Sequence, residues 1–244
     1  MQRARLLKSG ALHPFRNMAL DEALDPEPPV LRLYRFDPPG LSLGYFQAAA
    51  DFDAATIARL GAVLVRRATG GAAILHAHDV TFAFVARADH AVFAGPIAES
   101  YRRVHEAIAL GLAELGVQAT ARGGDDRGAA RPDDPVCFHA PTSFDLVVAG
   151  RKLVGSAQRR TRDRVLHHGS IPIAKNALAT DASSIEDVLG RRPRAEEVED
   201  ALARGFERAF GFAFERGEPT ATESARAEEL ARTKYGTAEW NSSR

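Results

Sequence analysis

Apolar residues recur along the chain with two different periods. Leu31, Leu33 and Tyr34 open an apolar run before Pro38-Pro39, and Leu41, Leu43 and Tyr45 follow at a period of two. That pattern predicts two strands joined by a proline-rich turn. Residues 62–66 and 73–76 read as strands flanking Thr69-Gly70-Gly71, and residues 80–86 are apolar and β-prone. Phe144, Leu146 and Val148 alternate, Gly150 marks a turn, Leu153 and Val154 resume, and residues 165–173 read as another strand. These make a β meander with a tight turn beside Lys152. The helical period appears in Met18, Ala19, Leu20, Ala23 and Leu24, with Asn17 placed to cap them, and in residues 52–60, closed by Gly61. Ile97, Tyr101, Val104, Ile108, Leu112 and Leu115 recur at spacings of three and four, which predicts a long helix ended by Gly116. Residues 185–189, 195–210 and 223–235 read as further helices, and Phe212 and Phe214 as a short strand. Strands follow one another in hairpins more often than through helices. The expectation is an α+β fold: a mixed, largely antiparallel sheet with covering helices.

Composition narrows the classes. The 244 residues are 45% hydrophobic and 26% charged, which is globular and long enough for one sizeable core, so one domain over residues 1–244 with a helical C-terminal segment from about 218 is expected. The 32 Lys plus Arg balance the 32 Asp plus Glu, so no polyanion signature calls for nucleic acid. A single cysteine forms no internal disulfide. Residues 1–8 lack the apolar core of a signal peptide, and no stretch approaches the ~20 apolar residues of a membrane helix. A cytoplasmic protein with no membrane contact is expected.

The chemistry concentrates in two segments. Cys137, the only cysteine, lies in a polar, proline-containing stretch with His139 and Pro141, and Lys152 follows beyond the predicted turn. A free thiol is only a few per cent ionised at neutral pH; a neighbouring ammonium stabilises the thiolate, and an amine depressed by burial accepts its proton. The sequence leaves both roles open for Lys152, beside the plainer readings of a buried small cysteine and an exposed turn lysine. The second segment is Arg66-Arg67-Ala68-Thr69-Gly70-Gly71-Ala72, followed by His76. Two glycines between strands permit positive φ and close backbone approach, and their N–H groups suit a carboxylate, a phosphate or an oxyanion, with Arg67 adding charge and His76 fixing the turn. The plainer reading is a hairpin turn. Val65, Ile74 and Phe82 are candidates to line an apolar channel. His76 with His78, Cys137 with His139, and His167-His168 match no zinc signature, so no metal is expected. Arg159, Arg160, Arg162 and Arg164 cluster at the end of the meander, and Arg102 and Arg103 on the long helix; these are solvated faces or a docking surface for an acidic partner.

Several segments, in order, carry a family resemblance. Asn17-Met18-Ala19-Leu20-Asp21-Glu22-Ala23, Leu41-Ser42-Leu43-Gly44-Tyr45-Phe46-Gln47, residues 66–76, Gly150-Arg151-Lys152-Leu153-Val154-Gly155-Ser156-Ala157-Gln158, His167-His168-Gly169-Ser170-Ile171 and Lys234-Tyr235-Gly236-Thr237-Ala238-Glu239-Trp240-Asn241 resemble the lipoate–protein ligase, octanoyltransferase and biotin ligase superfamily. Cys137-Phe138-His139-Ala140-Pro141-Thr142 is similar to the cysteine-dependent octanoyltransferases. The resemblance implies octanoyl transfer from acyl-carrier protein to a lipoyl-accepting protein such as the glycine-cleavage H protein. It implies a thioester on Cys137, a thiol made acidic by Lys152, substrate contacts from Arg67, Gly70, Gly71, His76, Gly155 and Ser156, and no cofactor. An ATP-dependent lipoate ligase, which would need ATP and magnesium, and a non-catalytic acyl- or lipoyl-domain binder are the alternatives. Ala72 stands where the family often has glycine or arginine; its Cβ resists positive φ, which leans against close phosphate contact and ATP use.

Overall fold

The computed structural model describes residues 1–123, 135–136, 142–175 and 177–243. Two sheets organise the chain. The larger has eight strands: β1 (Gln2–Leu12), β2 (Val30–Phe36), β6 (Asp79–Arg87), β7 (Thr120–Ala121), β8 (Leu146–Val148), β9 (Arg151–Arg160), β10 (Arg164–Pro172) and β11 (Phe212–Gly217), in the order β11-β1-β2-β6-β10-β9-β8-β7. The smaller has β3 (Gly40–Leu43) between β4 (Val63–Arg66) and β5 (Ile74–His76). Among the strands of the described residues, β11–β1, β1–β2 and β3–β4 pair in parallel and the other pairs are antiparallel. The mixed, largely antiparallel expectation therefore holds.

Helices α1 (Pro14–Ala23), α2 (Ala54–Arg59), α3 (Ile97–Glu114), α4 (Ile185–Leu189), α5 (Ala195–Phe210), α6 (Ala221–Leu230) and α7 (Ala238–Asn241) complete the fold. One face of the large sheet, with Leu31, Leu33, Phe82, Phe84 and Val154, packs against Val104, Ile108 and Leu112 of α3 and Val198, Leu202 and Phe206 of α5. Those helices approach so closely that a Cβ on Gly111 or Gly205 would lie 2.5 or 2.2 Å from the partner helix's carbonyl oxygen. The opposite face, with Tyr34, Ala83, Val85 and Leu166, packs against Met18, Ala19 and Leu20 of α1 and Ala227 and Tyr235. The alternation of a strand thus supplies two cores from one sheet.

Several expectations change. The proline-rich turn joins two strands as expected, and it carries the chain between sheets: β2 pairs in the large sheet and β3 in the small one. Strands β4 and β5 do not pair with each other; both flank β3. α1 begins at Pro14 and is capped by His13, while Asn17 is buried inside its first turn, donating to the carbonyls of Leu12 and Arg35 at 3.0 and 2.8 Å. The helix expected over 223–235 is α6 followed by a π-helical turn, Ala231–Tyr235. Positive φ in the glycine turn falls at Gly71 (φ 89°) and not at Ala72, so the Cβ of Ala72 meets no such conflict there.

Candidate active site

Arginines shape the glycine turn from inside. Arg66, fully buried at the end of β4, donates to the carbonyls of Gly44, Gln47, Trp240 and Asn241 at 2.7–3.1 Å. Trp240 Nε1 returns a bond to the Arg66 carbonyl at 2.9 Å, so the chain end is clamped onto the turn. Arg67, also buried, donates to the carbonyls of Ser42, Gly70 and Ala72 at 2.7–2.9 Å. Its charge is therefore engaged with the backbone carbonyls of the turn. Gly71 needs its missing side chain twice over. Its φ is left-handed, and a Cβ would sit 2.9 Å from the Arg67 guanidinium. Gly44 faces it so tightly that a Cβ would lie 1.6 Å from the Gly71 oxygen. Gly44→Ala should therefore displace the turn and cost ~1–3 kcal/mol, read as a lower urea midpoint; an unchanged midpoint would show that the turn yields freely. Among the described residues, neither the Gly70 nor the Gly71 N–H enters a hydrogen bond.

The turn borders a cavity against the large sheet, lined by Met18, Ile74, Gly71, His76, His168 and Gly169 among others. Ile74 lines it as expected. Val65 and Phe82 do not: each is fully buried, Val65 among α1 residues and Phe82 beneath α3 and α5. Phe82 points to the other face of its strand.

Two buried carboxylates brace the cavity wall. Asp79 accepts from His76 Nδ1 (2.7 Å), Thr81 (2.9 Å) and Ser170 (2.6 Å), which leaves His76 Nε2 to accept from Ser42 Oγ at 2.9 Å. His76 also stacks on Phe36 at 4.1 Å. Asp21 accepts from Arg32 (2.7 Å), Tyr34 (2.7 Å) and His168 Nδ1 (3.0 Å), and His168 Nε2 meets Thr69 Oγ1 at 2.6 Å. Burial pushes the Asp21 carboxyl up, but His168 and Arg32 outweigh it and hold it below the ordinary carboxylate range.

On the opposite face, His105 Nδ1 meets the Phe144 carbonyl and must donate to it. Its Nε2 then accepts from Ser156 Oγ (2.7 Å), which accepts from His167 Nε2 (2.8 Å). Ser156 therefore lines the cavity with its strand while its hydroxyl is held between two imidazoles; Gly155 is buried in β9, paired with Ser170. Burial lowers the pKa of His105, of His168 and, well below its ordinary value, of His167. In the unfolded chain these histidines take up protons below about pH 6.5 that the native state refuses. Stability is therefore full above that value and falls as the pH drops, by roughly 1.4 kcal/mol per pH unit for each imidazole until its folded pKa is reached. Urea midpoints at pH 7.5 and 5.5 check this; equal midpoints would contradict it.

Lys152 is buried on β9, and its Nζ lies 2.9 Å from Asp145 Oδ2, with both side chains only 4% exposed. This replaces the exposed turn lysine of the plainer reading. Asp145 Oδ2 also accepts from the Thr142 N–H at 2.5 Å. Asp145 carried no signal in the sequence beyond an acidic residue beside a strand. Cys137 lies outside the described residues, as does His139. The described residues that flank this segment are anchored: Val136 bridges to Ala73 beside the glycine turn, with the Ala73 N–H on the Pro135 carbonyl at 2.8 Å, and Thr142 is held by Asp145. Among the described residues no group of three His, Cys, Asp or Glu is arranged to hold a metal ion.

Comparison with known proteins follows this geometry. Residues 13–207 match the lipoyl protein ligase A/B catalytic domain. Octanoyltransferase LipM of Moorella thermoacetica is 39% identical, over 97% of this chain and 96% of its own length. Octanoyltransferase LipM of Bacillus subtilis is 33% identical over 97% of each chain. Among solved structures, a putative lipoate protein ligase of Thermoplasma acidophilum with bound lipoic acid superposes with a TM-score of 0.84 at 27% identity, covering 99% of this chain and 100% of that one. A lipoate-protein ligase A bound with ATP gives 0.82 at 26% identity, covering 98% of each chain. The chain belongs to the lipoyl protein ligase A/B catalytic-domain family.

Proposed function

We propose that this protein is an octanoyltransferase of lipoate biosynthesis. It moves an octanoyl group from acyl-carrier protein to a lysine of a lipoyl-accepting protein, with the glycine-cleavage H protein as the expected acceptor, in the cytoplasm and without a cofactor. The observation that carries the reading is near-full-length similarity to octanoyltransferases at up to 39% identity. The buried Lys152–Asp145 pair supports its chemistry. A carboxylate at 2.9 Å from the amine places a buried ion pair where the amine can serve as a charge partner for a thiolate.

The thiolate of Cys137 attacks the donor thioester carbon. A bond forms to the Cys137 sulfur, the carbonyl electrons move onto oxygen, and the Gly70 and Gly71 N–H groups stabilise that oxyanion. Collapse breaks the bond to the carrier sulfur, which leaves as a thiolate and takes a proton from water. The neutral lysine amine of the acceptor then attacks the acyl-enzyme, the amide forms, its surplus proton passes to solvent, and Cys137 is released. The octanoyl tail occupies the cavity beside Met18 and Ile74. Thioester to amide runs downhill, so no nucleotide is consumed.

The test supplies either octanoyl-carrier protein without ATP, or free octanoate with ATP and magnesium. Acceptor modification under the first condition is expected. Modification only under the second would show an ATP-dependent ligase.

A further inference from the structure

The arginine cluster at the end of the meander is split by the pleat of its strands. Arg160 turns toward α3, donating to Ser100 Oγ at 2.6 Å. Arg159 and Arg164 turn to the other face and, with Arg226 of α6, line a second cavity together with Glu22, Ala68 and Leu166. Among the described residues Glu22 is the only carboxylate in this lining, and it is bonded by Lys234 at 2.7 Å and by Tyr235. Arg164 is fixed on the Glu22 and Asp21 carbonyls at 2.6 and 2.9 Å, and Arg159 reaches the Ala68 carbonyl at 3.3 Å. Burial, and after it the Arg226 charge, lowers the Arg164 pKa, as expected for like charges drawn together. The lining thus sets three guanidinium groups against one carboxylate, Glu22, which is shared with Lys234 and Tyr235.

This cavity adjoins the first one in three elements at once. Met18 and Glu22 are one helical turn apart on α1; Ala157 and Arg159 are two residues apart on β9; His168 and Leu166 are two residues apart on β10. In each pair the first residue lines the acyl cavity and the second lines the arginine cavity. The offset is one pleat or one turn, roughly 5–7 Å. Lys152 lies seven residues from Arg159 along β9, roughly 23 Å at strand rise.

We propose that the arginine cavity binds the phosphate of the acyl donor, through Arg159 and Arg226, with Arg164 as a fixed positive charge. This deepens the octanoyltransferase reading and rests on it. The guanidinium fork suits phosphate oxygens. The proposed donor, a carrier-borne thioester, holds its phosphate on a phosphopantetheine-type arm, whose long linker between thioester sulfur and phosphate suits the span from Lys152 to Arg159.

The experiment measures acylation of the full-length protein by intact mass, with octanoyl thioesters of 4′-phosphopantetheine and of pantetheine. The wild type should prefer the phosphorylated donor about ten-fold or more in kcat/KM, the yield of one charged hydrogen-bond set. In Arg226→Gln and in Arg159→Gln the ratio between donors should fall toward one, and inorganic phosphate should raise the wild-type KM for the phosphorylated donor only. Equal use of both donors by the wild type, or a preference that survives in both variants, overturns the site. Equal use of the two small donors, combined with weaker use of octanoyl-carrier protein by Arg226→Gln, assigns the cavity to acidic side chains of the carrier and also overturns the phosphate. Failure of both donors to acylate the wild type removes the octanoyltransferase reading itself, a result separate from a lost preference.

Discussion

Cys137→Ala should lose octanoyl transfer from carrier protein to acceptor by at least about a thousand-fold, because the covalent intermediate is what lets two large proteins use one site in turn. Without it, carrier and acceptor would have to dock together, with the acceptor amine aimed directly at the carrier thioester. The effect belongs in kcat as much as in kcat/KM, since the lost group acts only as the transition state forms. Transfer assays on protein with wild-type circular dichroism measure it. Activity retained to within ten-fold would show that the acyl group passes directly, and Cys137 would revert to a structural thiol.

Lys152→Met carries the second large effect, and it divides into two parts. The first is stability. Asp145 would be left as a buried carboxylate without its cation, which costs ~3–5 kcal/mol and should appear as a large fall in the urea midpoint. The second is chemistry. Loss of the ammonium removes the charge that favours the thiolate, so the pKa of Cys137 should rise, alkylation at neutral pH should slow, and its pH profile should shift upward. Lys152→Met combined with Asp145→Leu separates the two. Removing both charges restores much of the stability, since apolar replacement of a buried pair is often neutral or better. The alkylation profile should stay shifted and transfer should stay lost. A double variant that recovers transfer along with stability would reduce Lys152 to a structural residue.

The long helix was legible because Ile97, Val104, Ile108 and Leu112 keep a helical period, and the meander because its turn and alternation are local. Strand β1 was not. Ala4, Leu6 and Leu7 break strict alternation, a bulge interrupts it between Lys8 and Gly10, and its partner β11 lies some two hundred residues away. Nothing local in a proline turn says whether the next strand returns to the same sheet, so the move of β3 into the second sheet was not legible. At the site, Arg67 and His76 were found for their residue types, but their partners, the turn carbonyls and Asp79, could be known only from the fold. Asp21, Asp79 and Asp145 went unread for a shared reason. A single aspartate next to apolar residues looks like a turn or cap until the fold shows the histidine or lysine that meets it, three residues away for Asp79, on the next strand for Asp145 and far along the chain for Asp21. Among the described residues, family motifs marked segments that line the cavity, and the hydrogen bonds say which members hold its walls.

Intact-mass spectrometry of the protein after incubation with octanoyl-carrier protein, without nucleotide or metal, tests the account most directly. The prediction is one octanoyl adduct, mapped to the peptide containing Cys137, released by a lipoyl-accepting protein and absent in Cys137→Ala. An unmodified protein under conditions where the acceptor becomes octanoylated, or an adduct on any other residue, would contradict it.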